Sequence, residues 1–472
     1  MRSPDTVRSG LLPAVAPVGV RGDGPDAGDD GTDADDALIA QWLHSPSRID
    51  RLIAKLDESI GRQVEAILHH PDFQALESAW RGLKFVVDRV DFNEGVRLEL
   101  WNYSKEELQS DLEDNPDRTK SRFYRIVYSE EYGQHGGEPY TAIFARFSVS
   151  SSPQDLALLR GMAAVAAMAH APVFLDADPS LFGISTFEEL TAMTDLRAVF
   201  ESPRLAAWNG FREADDSRYV GVLLPRMLLR LPYRDADESA ENFIYNERIE
   251  RTSDHLWGSA TYAFSVRLAD SHARYRTAMG VIGTFNDEPP VRDWHPAMNP
   301  DACKPPVDVM LSRRIEVALA ELGFISLTCD PVDGALRFSS ANSLQKPKTF
   351  GSLDGGEQAT LNYFLGTQIP YLLFISLFAH FIKIIQREHL GGHHTAEEMQ
   401  NDLTNWLLQF VNRAENPPAS MRLRFPLRGA KVEVREIDGQ PGWYPMNLFV
   451  LPHMRYKGAE FELSVPGRLD RR

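Results

Sequence analysis

At 472 residues and a formal net charge of −17, the chain has room for two or three domains and is too acidic to read as a binder of nucleic acid or of an anionic membrane. A basic partner suits that charge better. Cys303 and Cys329 are the only cysteines and fall outside any CxxC spacing, which excludes a disulfide framework and places the protein in a reducing compartment, the cytoplasm.

Residues 1–36 combine Pro and Gly with seven Asp between Asp23 and Asp36 and have little to bury, the composition of a disordered acidic extension. Gly10–Val20 resembles a secretory signal only superficially, because Pro13 and Pro17 interrupt its apolar stretch. From Ile49, the residues Leu52, Ile53, Leu56, Ile60, Val64, Ile67 and Leu68 recur every three or four positions and predict a long helix with one apolar stripe. Pro71 starts a second helix in which Phe73, Leu76, Trp80, Leu83 and Val87 continue the stripe, so a helical region over 37–93 is expected. The rhythm then changes. Val96, Leu98 and Leu100 alternate with Arg97 and Glu99 as in a strand, and Ser104-Lys-Glu-Glu107 is a capping box opening a helix.

An α/β body is expected over 94–345. Its strands are Thr141–Phe147, Val173–Asp176, Tyr219–Leu224 and Phe324–Leu327, and its helices are Pro153–Ala169, Trp257–Tyr275 and Arg313–Leu322. Asn286–Pro306, rich in proline, reads as a loop or junction. In the C-terminal part, 346–472, a helix from Gln358 to Glu388 bending at Pro370 and a helix Ala396–Arg413 precede short alternating segments at Met421–Phe425, Ala430–Ile437 and Ala459–Val465. The apolar run Ile369–Phe381 falls short of the ~20 residues a membrane-spanning helix needs. Strands this short near a terminus need a sheet to join, and that sheet can belong to another molecule.

No catalytic motif stands out. His389, His393 and His394 are close in sequence but lack the HExxH pattern, and His69-His70 is a second pair; a solvated helix terminus is the preferred reading over a metal site. Gly351–Gly356 lacks the lysine and hydroxyl of a phosphate loop, and its Ser352 is misplaced for a nucleophile elbow. His380, on an apolar helix face, reads as a satisfied core histidine. Arg226 and Arg230 sit in an apolar stretch, Pro225–Tyr233, and must find carboxylates or carbonyls if buried. No cofactor and no metal are expected.

The strings His70-Pro-Asp-Phe-Gln-Ala-Leu-Glu-Ser-Ala-Trp-Arg-Gly-Leu83, Gly136–Tyr140, His170-Ala-Pro172, Pro225–Tyr233 and Pro441-Gly-Trp-Tyr444, in that order, resemble the large subunit of the type VI secretion contractile sheath, the TssC/VipB family. The resemblance implies a phage tail sheath-like α/β fold with an N-terminal helical region, a mixed α/β body, and C-terminal helices with antiparallel strands. It also implies a mechanical function with no catalysis. Expected partners are a small sheath subunit (TssB/VipA-like), an inner tube protein (Hcp-like), a baseplate, a AAA+ recycling ATPase (ClpV-like) and further copies in a helical polymer. The N-terminal helices are expected to contact the small subunit. Val432, Val434, Phe461 and Leu463 are the candidates for strand-mediated assembly, and the helix carrying Arg313 and Glu316 is the candidate for facing the inner tube. Two departures stand out. Leu377 in Ser376–His380 takes a place where the family carries arginine, and no segment recognised by an unfoldase is evident in 1–36, although Asp35–Leu43 has room for a divergent one. The competing readings are a sheath of another phage tail-like contractile system and a soluble metal-dependent hydrolase.

Overall fold

The computed structural model describes residues 46–134, 136–233, 245–282, 306–329, 336–350, 360, 363–388, 396–414, 417–434, 446–453 and 463–467. The chain divides into one unit of residues 1–64 with 239–245 and a second of residues 65–238 with 246–472. Helix α1 (Pro46–Leu68) supplies the described helix of the first unit and runs into the second, where α2 (Pro71–Val87) follows. Pro71 occupies the first turn of α2, where no amide donor is required, and the His70 ring accepts the Asp72 N–H at 3.3 Å. The next helix, α3 (Lys105–Asp114), has the predicted capping box with both bonds made: Glu107 N–H to Ser104 Oγ at 3.1 Å and Ser104 N–H to Glu107 Oε2 at 3.0 Å.

The body is a five-stranded sheet whose helical crossovers cover both faces. Strands β1 (Ile143–Val149), β2 (Val173–Ala177) and β3 (Val220–Leu224) pair in parallel. Helix α4 (Pro153–Ala169) connects the first two, and α5 (Ala206–Arg212) lies in the second crossover. A two-stranded ribbon, β4 (Met227–Leu228) with β5 (Trp257–Gly258), leads to α6 (Ala260–Tyr275). After α7 (Arg313–Glu321), β6 (Phe324–Cys329) joins β3 in parallel and β7 (Leu336–Phe338) closes the edge antiparallel, giving the order β1-β2-β3-β6-β7.

Because successive strand side chains point to opposite faces, each strand serves two cores. Val173, Leu175, Val222, Leu224 and Phe324 pack with α3, α4, α5 and α7. Phe174, Leu223, Ile325 and Leu327 pack with Phe85 and Val86 of α2 and with α6. At about 1.5–3 kcal/mol for each fully buried large apolar side chain, these two layers are the main source of stability.

The C-terminal part adds α8 (Ile369–Glu388), α9 (Ala396–Leu408), the short α10 (Ala419–Arg424), and an antiparallel sheet of β8 (Leu427–Val434), β9 (Met446–Pro452) and β10 (Leu463–Gly467) in the order β10-β9-β8. Phe374, Phe378, Leu403, Leu407, Leu427, Val432 and Val450 form its core, with Trp406 and Phe410 packed against them. Among the described residues no helix is long and apolar enough to cross a membrane.

Several expectations need correction. Val96–Leu100 belongs to no strand among the described residues. Met421–Phe425 is mostly helical, since the prolines at 417 and 418 open a helical turn that the alternation masked. Pro370 does not bend a continuous helix: residues 363–366 are helical, Gln368 bridges to Asn342, and α8 begins afresh at Ile369 with Pro370 in its first turn. Helix α6 begins at Ala260 because Ser259 caps it after the β5 ribbon, and α9 stops at Leu408 rather than Arg413. The acidic extension, Phe461, the histidines 389, 393 and 394, the glycine-rich 351–356 and most of 286–306 lie outside the described residues.

Candidate assembly interface

The apolar stripe read from the sequence faces solvent. On α1, Leu52, Ile53, Leu56, Ile60 and Ile67 are exposed; on α2, Leu76 and Trp80 are 56% and 64% exposed, with Phe73 and Val87 beside them. The other side of α2 is buried through Gly82, Phe85 and Val86. Gly82 is required there, since an added Cβ would lie 2.0 Å from the Tyr262 ring of α6. A helix apolar on both sides that buries only one of them leaves a surface for a second molecule.

The core side of α2 is fixed by a charge network that joins two of the sequence motifs. Arg230 donates from Nε to Glu77 Oε1 at 2.9 Å, and from Nη1 and Nη2 to the two Glu247 oxygens at 2.6 and 3.3 Å. Glu77 also receives Arg81 Nε at 2.7 Å, while Glu247 receives the Tyr233 amide at 2.9 Å and lies 3.1 Å from His69 Nε2. The Glu247 side chain is fully buried and that of Arg230 is nearly so. Burial alone would raise the Glu247 carboxyl, but the Arg230 guanidinium and the Tyr233 amide hold it below the usual carboxylate range. Arg226 pairs with the buried Asp308 at 2.9 Å. Both arginines thus find the carboxylates that the sequence demanded, and His69 and His70 are engaged by Glu247 and by the α2 cap. Among the described residues no group of three or more His, Cys, Asp or Glu is arranged to hold a metal ion.

A second network fastens α8 to the body. Helix α4 ends with His170 in the left-handed region at φ 53°, and its terminal carbonyls need partners. Ala171 N–H reaches Ala166 O at 3.0 Å and His170 N–H reaches Ala167 O at 3.3 Å. Met168 O receives Lys383 Nζ at 2.9 Å, and Ala169 O receives Tyr132 Oη at 2.7 Å with His380 Nε2 at 3.0 Å. The Lys383 ammonium lies over the rings of Tyr128 and Tyr132, 5.0 and 4.8 Å from their centroids. Burial pushes His170 down to about 3, His380 to about 4 and Lys383 to about 8. His380 is the satisfied core histidine expected. Neither the terminal-carbonyl role of Lys383 nor the meeting of Glu77, Arg230 and Glu247 was anticipated; the lysine in the apolar α8 pattern was the available signal for the first.

The predicted interface residues are placed as follows. Val432 is buried in the C-terminal core, and Val434 is half-buried beside it and donates its amide to Gln400 Oε1 at 3.1 Å. Leu463 opens β10 opposite Val450 of β9, and β10 is an edge of its sheet. Arg313 Nη1 bonds Glu316 Oε2 at 3.1 Å on the first turn of α7, with Glu316 also receiving Ser339 Oγ at 2.9 Å. α7 buries Ile315 and Leu319, while Val317 is exposed.

Two family models cover most of this architecture. Residues 50–345 match the EvpB/VC_A0108 tail sheath N-terminal domain, and residues 358–469 match the EvpB/VC_A0108 tail sheath gpW/gp25-like domain. The chain belongs to this tail sheath family. The type VI secretion system sheath protein TssC1 of Pseudomonas aeruginosa is 34% identical over 433 residues, covering 89% of this chain and 86% of that protein. The resemblance of the motifs to the TssC/VipB family therefore holds, and the α/β fold is that of a tail sheath protein. The chain is a large sheath subunit of type VI secretion, a structural protein whose family is defined by sheath formation and not by a reaction. The other readings, a different contractile particle and a metal-dependent hydrolase, are not favoured.

Proposed function

We propose that this sheath subunit pairs with a small sheath subunit (TssB/VipA-like) and that the pairs stack in the bacterial cytoplasm as a helical polymer. The polymer surrounds an Hcp-like inner tube, rests on a baseplate, and shortens to drive the tube outward. A ClpV-like AAA+ ATPase completes the proposed partners as the agent of recycling. The role is mechanical, without catalysis or cofactor. The observation that carries the assembly reading is the set of apolar side chains left exposed on α2, with a further set exposed on α1.

We assign the small-subunit contact to the N-terminal helices over 37–93, the body to 94–345 and the inter-protomer strands to 346–472, following an acidic extension at 1–36. Val432, Val434, Phe461 and Leu463 support strand addition between protomers, through backbone edges in the case of Val432, whose side chain is buried in its own core. The helix bearing Arg313 and Glu316 is assigned to the inner-tube side. Head-to-tail contacts that do not close build a filament, and several modest contacts held together act as one strong one.

The test is negative-stain electron microscopy of the chain expressed with a candidate small sheath subunit from the same genome, against the chain alone. Hollow tubules only on co-expression support the two-component reading. Tubules from the chain alone indicate a one-component, phage-like sheath, and dispersed particles in both refute the assembly reading.

A further inference from the structure

The segment from Gly95 to Tyr103 has the alternating sequence pattern of a strand but belongs to no strand among the described residues. Among the described residues no backbone N–H or C=O from Val96 to Tyr103 makes a hydrogen bond. The segment is nevertheless held in place at both ends and along one side. Before it, Arg276 donates to Glu94 O at 2.6 Å, and Gly95 turns the chain at φ 78°. After it, Trp101 packs edge-on against Phe123 and Tyr140, and Ser104 caps α3. In between, Arg97 pairs with Glu138 at 2.5 Å and Glu99 accepts from Tyr140 Oη.

On one side of the alternation Arg97, Glu99 and Trp101 reach Glu138 and Tyr140, with the Arg97 side chain itself largely exposed. On the other side Leu98 is 46% exposed and Leu100 70%. A segment pinned through alternate side chains, with no backbone hydrogen bond among the described residues and two exposed leucines, offers an edge to a strand.

We propose that Val96–Trp101 is a docking edge for a strand of a different, less acidic chain, the small subunit of the proposed sheath; the identity of that occupant rests on the function proposed above. Two observations favour it over a second copy. Each copy carries a net charge of −17, so like chains meet at a cost. Pairing this segment with its own copy would also make a twofold contact, which closes a dimer and cannot propagate a head-to-tail polymer. Leu76, Trp80, Val87 and Phe92, which precede Leu98 and Leu100 in the chain, are moreover exposed as well. One partner can cover the helix and add the strand together.

Hydrogen exchange read by mass spectrometry on fragments spanning 95–103 tests this in the chain alone and in the co-expressed complex. The expected result is at least 10-fold slower exchange at Leu98–Trp101 in the complex, and none in the chain alone at any concentration. The double variant Leu98→Asp/Leu100→Asp should retain the wild-type melting temperature, because both side chains are exposed, and should weaken small-subunit binding by about 100-fold.

A complex that forms with unchanged exchange in this segment overturns the proposal and leaves the sheath function standing. Protection that appears in the chain alone and grows with concentration overturns it in favour of a second copy. Absence of any complex refutes both.

Discussion

Replacing Arg230 with methionine removes the guanidinium that reaches both Glu77 and Glu247 and leaves the fully buried Glu247 carboxylate, among the described residues, with the Tyr233 amide and His69. Stranding one partner of a buried pair costs about 3–5 kcal/mol. An independent bound comes from proton uptake. Glu247 can relieve itself by binding a proton, and from an ordinary glutamate near 4.3 that costs about 1.36 kcal/mol per pH unit, or roughly 4.4 kcal/mol at pH 7.5. The loss therefore cannot greatly exceed that value, and it should shrink to about 1.6 kcal/mol at pH 5.5. The sign follows from the lowered folded-state value of Glu247: its stabilisation is present above the unfolded value and is lost as pH falls through the folded one. With an unfolding entropy of about 2.1 cal/mol/K per residue over 472 residues, close to 1 kcal/mol/K, the melting temperature should drop by ~4 °C at pH 7.5 and by ~1–2 °C at pH 5.5. Scanning calorimetry of both proteins across that range is the assay. An unchanged melting temperature at pH 7.5, or a deficit that grows toward acid, would refute the view that Arg230 neutralises a buried carboxylate.

Gly82→Ala should destabilise the body by about 1–3 kcal/mol, read by urea denaturation, because its methyl would enter the Tyr262 ring. Asp176 is pushed up to about 7, first by burial and against the Ser259 and Ala260 hydrogen bonds, so the folded state holds its proton more tightly than the unfolded one. Wild type should therefore lose up to ~1.4 kcal/mol per pH unit between about pH 4 and 7 relative to Asp176→Asn, a trend visible in paired melting curves. Lys383, lowered to about 8 by burial, has the opposite sign: its charge is tolerated worse folded than unfolded, so wild type should gain on Lys383→Met as pH rises from 8 to 10. Leu56→Glu and Trp80→Glu, both at exposed positions, should leave stability within ~0.5 kcal/mol of wild type and abolish tubules in the co-expression assay.

The helices and parallel strands were legible because their periods are local properties. Pro153–Ala169 was placed to the residue by its Ser cap, proline start and alanine-rich run. What periodicity cannot report is the identity of the surface that an apolar stripe meets. The repeats at Leu56, Leu76 and Trp80 look like core residues, yet they face solvent, because a partner's surface and a protein's own core make the same demand on a helix. Val96–Leu100 shows the same limit for a strand pattern: alternation alone does not make a strand, because pairing depends on whether an edge is supplied. Arg230 was flagged by its apolar surroundings, but Glu77 and Glu247 lie 153 and 17 residues away along the chain, and a separation such as the first cannot be read from spacing. Of the predicted interface set, Val432 stands inside the C-terminal core, since a strand residue beneath two helices shows the same alternation whether or not its edge is used.

The lysine in α8 explains how the C-terminal part is held in register on the body. Ala166 and Ala167, near the end of α4, have their carbonyls capped by the turn that follows, but Met168 and Ala169 depend on donors from elsewhere, chiefly Lys383 and His380 three positions apart on one face of α8. An all-apolar α8 would leave the Met168 carbonyl unanswered, at about 1–3 kcal/mol, and the Ala169 carbonyl with Tyr132 Oη alone. Sliding α8 by one turn along its groove would incur the same loss while moving the Lys383 ammonium off the Tyr128 and Tyr132 rings. Small axial slips, which apolar contacts alone resist weakly, are thereby made costly. In the proposed helical assembly a subunit must pass force between its sheet-bearing body and its C-terminal strands without yielding internally. A registered α8 meets that requirement.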